Sequence, residues 1–316
     1  MDAVRLAVVW NPSKSTSREE LEDALNASLP DGAVLPVVTW WETTLDDPGQ
    51  GVTRDAVAAS ADVVVAAGGD GTVRAVCEAL AELDDAPPLG VVPLGTGNLL
   101  ARNLDVPLND PRAAFERILS AEPQHIDVAW AELGSGLTTR RQAFVVMAGF
   151  GIDAHMITET DDELKARAGW LAYVESLGRA VDASSSLDLE VSIDGEPARR
   201  ERAHTVLIGS CGAIQGGITL LPDADPSDGE LDVAMLRAEG VLGWLETMRS
   251  VVWDNGVKRQ LFRVTEAEST DSVWHTRATS VAIQLSEPRV CELDGDQVGE
   301  VDRVSVTIQP GAVRVL

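Results

Sequence analysis

The stretch "VVVAAGGDGTV", Val63 to Val73, decides how the chain is read. Five apolar residues, Val63 to Ala67, run without alternation, as expected of a strand buried on both faces of a parallel sheet. Gly-Gly-Asp-Gly follows, and Thr72 to Leu83 has the spacing of a helix. At such a junction the backbone turns sharply. Glycine permits positive φ and carries no Cβ to obstruct a ligand. Bare amides and a helix N-terminus can then receive an anion, so Gly68, Gly69, Gly71 and Thr72 form a candidate phosphate cradle. Asp70 is a carboxylate in that cradle. It makes chemical sense if it holds Mg²⁺, orients a hydroxyl or takes its proton. The bland alternative is an ordinary strand-to-helix turn with a capping Asp.

Two further loops argue against the bland alternative. "PLGTGN", Pro93 to Asn98, also follows a short apolar run, Leu89 to Val92, and also precedes a helix. "NPS", Asn11 to Ser13, breaks the first strand, Val4 to Val9. Loops from neighbouring parallel strands meet at the carboxyl edge of the sheet, where open α/β sheets bind ligands. The rest of the first part fits the pattern. Ser17 and Glu20 have capping-box spacing for a helix ending near Leu29. "VLPVVTW" reads as a strand, and helices are expected at 53–60, 98–104 and 110–120. Strand and helix alternate, which predicts a parallel sheet covered on both faces.

Near residue 125 the character changes. "HIDVAWAEL", "RQAFVVMAGFG", "SLDLEVSIDG", "AHTVLIGSC", "GELDVAMLRA", "SVAIQLSEP", "RVCELDG" and "RVSVTIQP" are short, often alternating segments with turns such as Asp194-Gly195 and Asp294-Gly295 between them. They predict an antiparallel β-sandwich or flattened barrel, interrupted by helices at about 161–182 and 240–254. The expected fold is therefore α/β plus all-β: a three-layer α/β domain over 1–124, then a β-sandwich over 125–302, with 303–316 packing back on the first. "AFVVMAGFG" and "AIQGGITLL" read either as an apolar slot or as sandwich core.

The chain has 316 residues and a net charge of −26, with 51 acidic against 25 basic residues. Lysine occurs only at Lys14, Lys165 and Lys258. Such a field argues against nucleic acid as a partner and against strong electrostatic docking on anionic lipid. Cys77, Cys211 and Cys291 are scattered and read as buried thiols in a reducing compartment. The four histidines have no metal-ligand spacing. Neither a P-loop nor a dinucleotide fingerprint is present. A short apolar start with Asp2 argues against a signal peptide, and a cytoplasmic protein with peripheral membrane contact is expected.

With these loops in hand the chain resembles the diacylglycerol kinase catalytic family, which includes bacterial lipid kinases and is related to sphingosine and ceramide kinases. The similarity runs over nearly the whole chain. "GGDGT" at 68–72 is shared with NAD kinases. More specific are the order of the Asn-Pro turn, "GGDGT", "PLGTGN" and "LLARNL", and the later "AGFGIDA" (148–154), "WLAYVESL" (170–177), "LPDADPSDGELDV" (221–233) and "LDGD" (293–296). The resemblance implies a Mg²⁺-dependent transfer of the ATP γ-phosphoryl group to diacylglycerol or a related lipid alcohol, in a cleft between the two domains, the first the nucleotide-binding domain and the second the substrate domain. It assigns Asn11, the 68–72 loop and Gly95, Thr96, Gly97 and Asn98 to ATP. Asp70 becomes the essential acid near the γ-phosphate, and Asp296 stands where the family has a Glu acting as base on the acceptor. Asp225, Asp228 and the Glu230 carbonyl would hold a metal that braces the second domain. Lys14 and Ser15 replace the usual glycine after the Asn-Pro turn, and Leu99 replaces a frequent Asp. Arg74 and Arg102 read either as aids to phosphate or as solvated helix residues. The rival readings are an NAD kinase-like enzyme and a non-catalytic nucleotide-binding regulator. A homodimer is left open.

Overall fold

The computed structural model describes residues 3–30, 32–151, 186–214, 219–237 and 273–316. The first part is a parallel sheet of β1 (Arg5–Trp10), β2 (Val37–Glu42), β3 (Val63–Gly68) and β4 (Leu89–Pro93), in the order β4-β3-β1-β2. Between the strands run α1 (Arg18–Ser28), α2 (Gln50–Ala58) and α3 (Asp70–Ala81), with α4 (Leu99–Asn103) and α5 (Pro111–Ser120) after β4. Successive side chains of β3 face opposite layers. Val65 and Ala67 pack with Leu21 and Leu25 of α1 and with Phe115 and Ile118 of α5. Val64 and Ala66 pack with Val76 and Leu80 of α3. Burial on both faces is why β3 reads as an unbroken apolar run. Helix α1 starts on the expected capping box, Ser17 with Glu20. Helix α2 starts three residues earlier than its periodicity suggests, because the Asp47 carboxylate accepts from the amides of Gly49, Gly51 and Val52.

The second part is antiparallel: β5 (Gln124–Ser135), β6 (Thr138–Phe144), β7 (Met147–Phe150), β8 (Leu187–Ile193), β9 (Arg199–Ala203), β10 (Thr205–Gly209), β11 (Leu231–Leu236), β12 (Val273–Ala278), β13 (Ser280–Leu293) and β14 (Asp296–Val315). Their inner residues, among them Phe144, Phe150, Leu187, Ile208, Leu231 and Ile283, form one core. This is the expected sandwich. The expected helices at 161–182 and 240–254, with the whole segment 170–177, lie outside the described residues, as do 152–154 of "AGFGIDA" and 215–218 of "AIQGGITLL". The apolar segment 143–150 is core: Ala143, Val145, Val146 and Met147 pack against Leu100, Ala101 and Val73 of the first part.

Strand β14 joins the two parts. It pairs antiparallel with β13 and β5, then runs on until Val315 pairs parallel with Leu89 of β4. Helix α3 is the second tie. Arg74 and Glu78, one turn apart on one face, both reach backbone of the second part: Arg74 Nη1 donates to Leu293 O at 3.0 Å, and Glu78 Oε2 accepts from Ala143 N at 3.1 Å.

Candidate active site

The three loops predicted to meet do meet. Strand β3 lies between β1 and β4, all parallel, so the Asn11 turn, the Gly68–Thr72 loop and the Gly95–Asn98 loop emerge at one edge. The glycines there work by close approach and not by unusual backbone. None of Gly68, Gly69, Gly71, Gly95 or Gly97 has positive φ. A Cβ on Gly95 would lie 2.8 Å from Gly69 Cα, one on Gly97 would lie 2.6 Å from Asp70 Oδ2, and one on Gly68 would lie 2.6 Å from the Thr72 side chain. A side chain at any of these positions would push the loops apart.

Asp70 is the clasp between loops. Its Oδ2 accepts from Asn98 N at 2.8 Å and its Oδ1 from Leu99 N. Burial pushes its carboxyl above the usual range, the two amides pull it back, and the charge of Asp296 raises it again. Asn98 is buried and left-handed, φ 48°. Its Oδ1 accepts from Gly95 N at 2.9 Å and its Nδ2 donates to Gly95 O at 2.7 Å, which closes the second loop on itself. The left-handed region suits Asn better than most residues. Arg102 Nε donates to Gly97 O at 2.6 Å. Asn11 binds its own turn through Ser13 and donates Nδ2 to Thr72 Oγ1 at 3.4 Å. Thr72 is buried and faces that loop, whereas Thr96 is exposed at the rim.

Asp296 closes this edge from the second part. The two-residue turn Asp294-Gly295, with φ of 50° and 84°, has the left-handed pair of a tight hairpin and carries β13 into β14. It brings Asp296 over α3, where Arg74 Nη2 donates to Asp296 Oδ2 at 2.9 Å. A Cβ on Gly71 would meet that same oxygen at 2.9 Å. Asp70 and Asp296, 226 positions apart, thus face one crevice from either side of Gly71. Two carboxylates there are a hard-oxygen donor set suited to Mg²⁺. Arg74 is no solvated helix residue, since it aims Asp296.

One functional neighbour was missed in the sequence. Asp294 is fully buried and accepts from three consecutive amides, Val145, Val146 and Met147, at 2.9–3.0 Å. Burial pushes its carboxyl up to about 6, against the pull of Arg74 and the three amides. The same bonds explain why the segment 142–150, read as one strand, is two: those amides leave the ladder and β6 ends before β7 begins. An acidic residue inside "LDGD" was the available signal.

The loop 221–230 is pinned to β5, where Asp127 N donates to Pro226 O at 2.7 Å and Asp127 Oδ2 accepts from Gly229 N at 2.7 Å. Asp225 Oδ1 accepts from Ser227 N and Oγ, and Asp228 Oδ1 accepts from Glu230 N. Arg277 of β12 stands opposite Asp232 of β11 and reaches into the loop. It contacts Asp228 Oδ2 and lies 2.8 Å from Glu230 Oε2. Arg277 thus pairs with the side chains of Asp228 and Glu230, whereas Asp225 is held by Ser227 of its own turn. Cys77, Cys211 and Cys291 are buried and free, with burial raising each thiol. Among the described residues no helix is long and apolar enough to cross a membrane.

The chain was compared with known proteins. Residues 5–131 match the family model of the diacylglycerol kinase catalytic domain, and residues 145–316 match that of the YegS C-terminal NAD kinase beta sandwich-like domain. A protein of Stenotrophomonas maltophilia named "Probable lipid kinase YegS-like" is 33% identical over 326 residues, covering 100% of this chain and 96% of its own. "Diacylglycerol kinase" of Bacillus subtilis is 26% identical over 246 residues, covering 78% of this chain and 75% of its own. The crystal structure of a diacylglycerol kinase from Bacillus anthracis shares the fold at 21% identity, with a TM-score of 0.66 over 99% of this chain and 96% of that one. Yeast NADH kinase shares it more distantly, at 12% identity and a TM-score of 0.50 over 98% and 79%.

Proposed function

The chain belongs to the diacylglycerol kinase catalytic family, with the YegS-type sandwich behind the kinase domain, and from that premise we propose that it transfers the γ-phosphoryl group of ATP to the hydroxyl of diacylglycerol or a related lipid alcohol. The observation that carries this reading is the meeting of Asp70 and Asp296 across Gly71, at the edge where three strand-to-helix loops converge.

In this reading the division near residue 125 separates a nucleotide half from an acceptor half. Asn11, Gly68, Gly69, Gly71, Thr72, Gly95, Thr96, Gly97 and Asn98 shape the nucleotide side. Their contribution is main-chain surface brought close, because most of their polar side-chain atoms already bind one another. Phosphoryl transfer depends mainly on positioning and on neutralising charge. Mg²⁺, when bound, supplies that neutralisation between the phosphates. Asp70 and Asp296 would hold it, Asp70 with lone pairs left over from its two amide bonds. Asp296, aimed by Arg74, orients the acceptor hydroxyl and takes its proton. At the acidic loop, Asp225, Asp228 and the Glu230 carbonyl would bind a bracing divalent ion in competition with Arg277. The acceptor is reached by peripheral contact with a cytoplasmic membrane face.

The test is transfer of label from γ-labelled ATP to a lipid extract and, separately, to NAD, by the wild-type protein and by Asp70→Asn. Labelled lipid from the wild type alone is expected. Equal labelling by both proteins, or label on NAD and none on lipid, would overturn the reading.

A further inference from the structure

We propose that Lys14 is the side chain that grips the terminal phosphates of the nucleotide, and that the absence of a side chain at Gly69 leaves the room it lies in. The inference rests on the ATP reading of the crevice and adds to it a residue that the resemblance leaves unassigned.

Lys14 follows Asn-Pro-Ser in the turn after β1, and its amide donates to Asn11 O at 3.2 Å, which folds the turn back over the edge of the sheet. A Cβ on Gly69 would lie 3.3 Å from Lys14 Nζ, 3.4 Å from its Cε and 3.4 Å from Gly95 Cα. The ammonium therefore rests against Gly69, the residue that caps the start of α3. A solvated loop lysine extends into water. This one is half-buried and lies along main chain.

The electrostatics point the same way. The protein carries a net −26, so a triphosphate approaches against the field. Among the described residues, two other cations at this edge are committed elsewhere: Arg74 to Asp296 and Leu293 O, Arg102 to Gly97 O. Among the described residues no carboxylate lies within ion-pair distance of Lys14 Nζ. Helix α4 is too short to add a useful dipole, so among the described residues α3 and Lys14 are the groups placed to offset the phosphates. An ammonium on a flexible stem, with three donors free to rotate, suits a group whose charge shifts during transfer.

The test measures ATP and AMP binding to the wild type, Lys14→Met and Lys14→Arg by calorimetry, with thermal midpoints recorded alongside. Lys14→Met is expected to weaken ATP by about 10- to 100-fold, the worth of one or two charge-assisted contacts, and to leave AMP unchanged, since AMP lacks the terminal phosphates. Lys14→Arg should retain most of the ATP affinity. Unchanged ATP binding by Lys14→Met, or equal loss of ATP and AMP, would overturn the proposal. A wild type that binds neither nucleotide would remove the ATP reading itself, a result distinct from either.

Discussion

The glycine edge and the acidic loop handle charge in opposite ways. At the edge, side chains have been removed so that two backbones touch, Gly69 against Gly95, and the polar side chains that remain bind loop to loop. At 225–230, carboxylates have accumulated around a guanidinium from a neighbouring strand. The first is a close-packed backbone surface with its side-chain bonds already made. The second is a cluster in which one guanidinium offsets part of an excess of carboxylates; burial and those carboxylates together still raise the Asp232 carboxyl. The difference teaches that crowding by backbone and crowding by charge respond to different perturbations, which gives four ways to pull them apart.

Asp70→Asn should have the largest effect. An amide can accept from only one of the two amides that Asp70 serves and presents NH₂ to the other. Phosphoryl transfer is expected to fall by at least about 10³-fold, the scale of losing one preorganised electrostatic group. Gly95→Ala should follow. Its methyl would meet Gly69 Cα, and chemical denaturation should show a loss of about 1–3 kcal/mol, as for overpacking. Arg74→Ala comes third. It releases Asp296 and the Leu293 carbonyl, and a misplacement of about 1 Å can cost about 10²-fold in kcat with the fold intact. Arg277→Gln should be smallest under ordinary conditions. Exposed pairs are worth about 1 kcal/mol or less, but the variant's thermal midpoint should become more sensitive to Mg²⁺ and chelator than that of the wild type.

A pH series sharpens the same contrast from inside the molecule. Asp294 holds its proton up to about 6 when folded, against about 4 in an unfolded chain. The folded state binds more protons in that window, so this group's contribution to stability falls as pH rises from about 4 to about 6 and is level above. Asp294→Asn should remove that slope, read as the difference between wild-type and variant unfolding curves.

The first half of the fold was legible because its signals are local. A doubly buried strand reads as an apolar run, and a capping box is four residues long. The three loops were legible for the same reason, since parallel strand order alone brings them together. Strand β9, Arg199–Ala203, was missed. Its residues are charged, and it holds as an edge through Arg200 with Glu190 and Arg202 with Asp188 on β8. Strand β12 was missed too, for its mixed composition gives no period until β11 lies beside it. Arg74 looked like any helix arginine because its partners are about two hundred positions away. The reason for the glycines was half legible: absence of Cβ mattered, and positive φ did not.

Strand β14 carries a consequence for biogenesis. Val315 and the amide of Leu316 complete the hydrogen bonding of Leu89, so the kinase half borrows its final edge from residues synthesised after every other described part. A nascent first domain would leave β4 exposed along that side until the tail arrives, and sequence-distant closure of this kind is slow. A ribosome that stalled a dozen codons short would yield a protein with an open sheet, ready to pair with a neighbour instead of with itself.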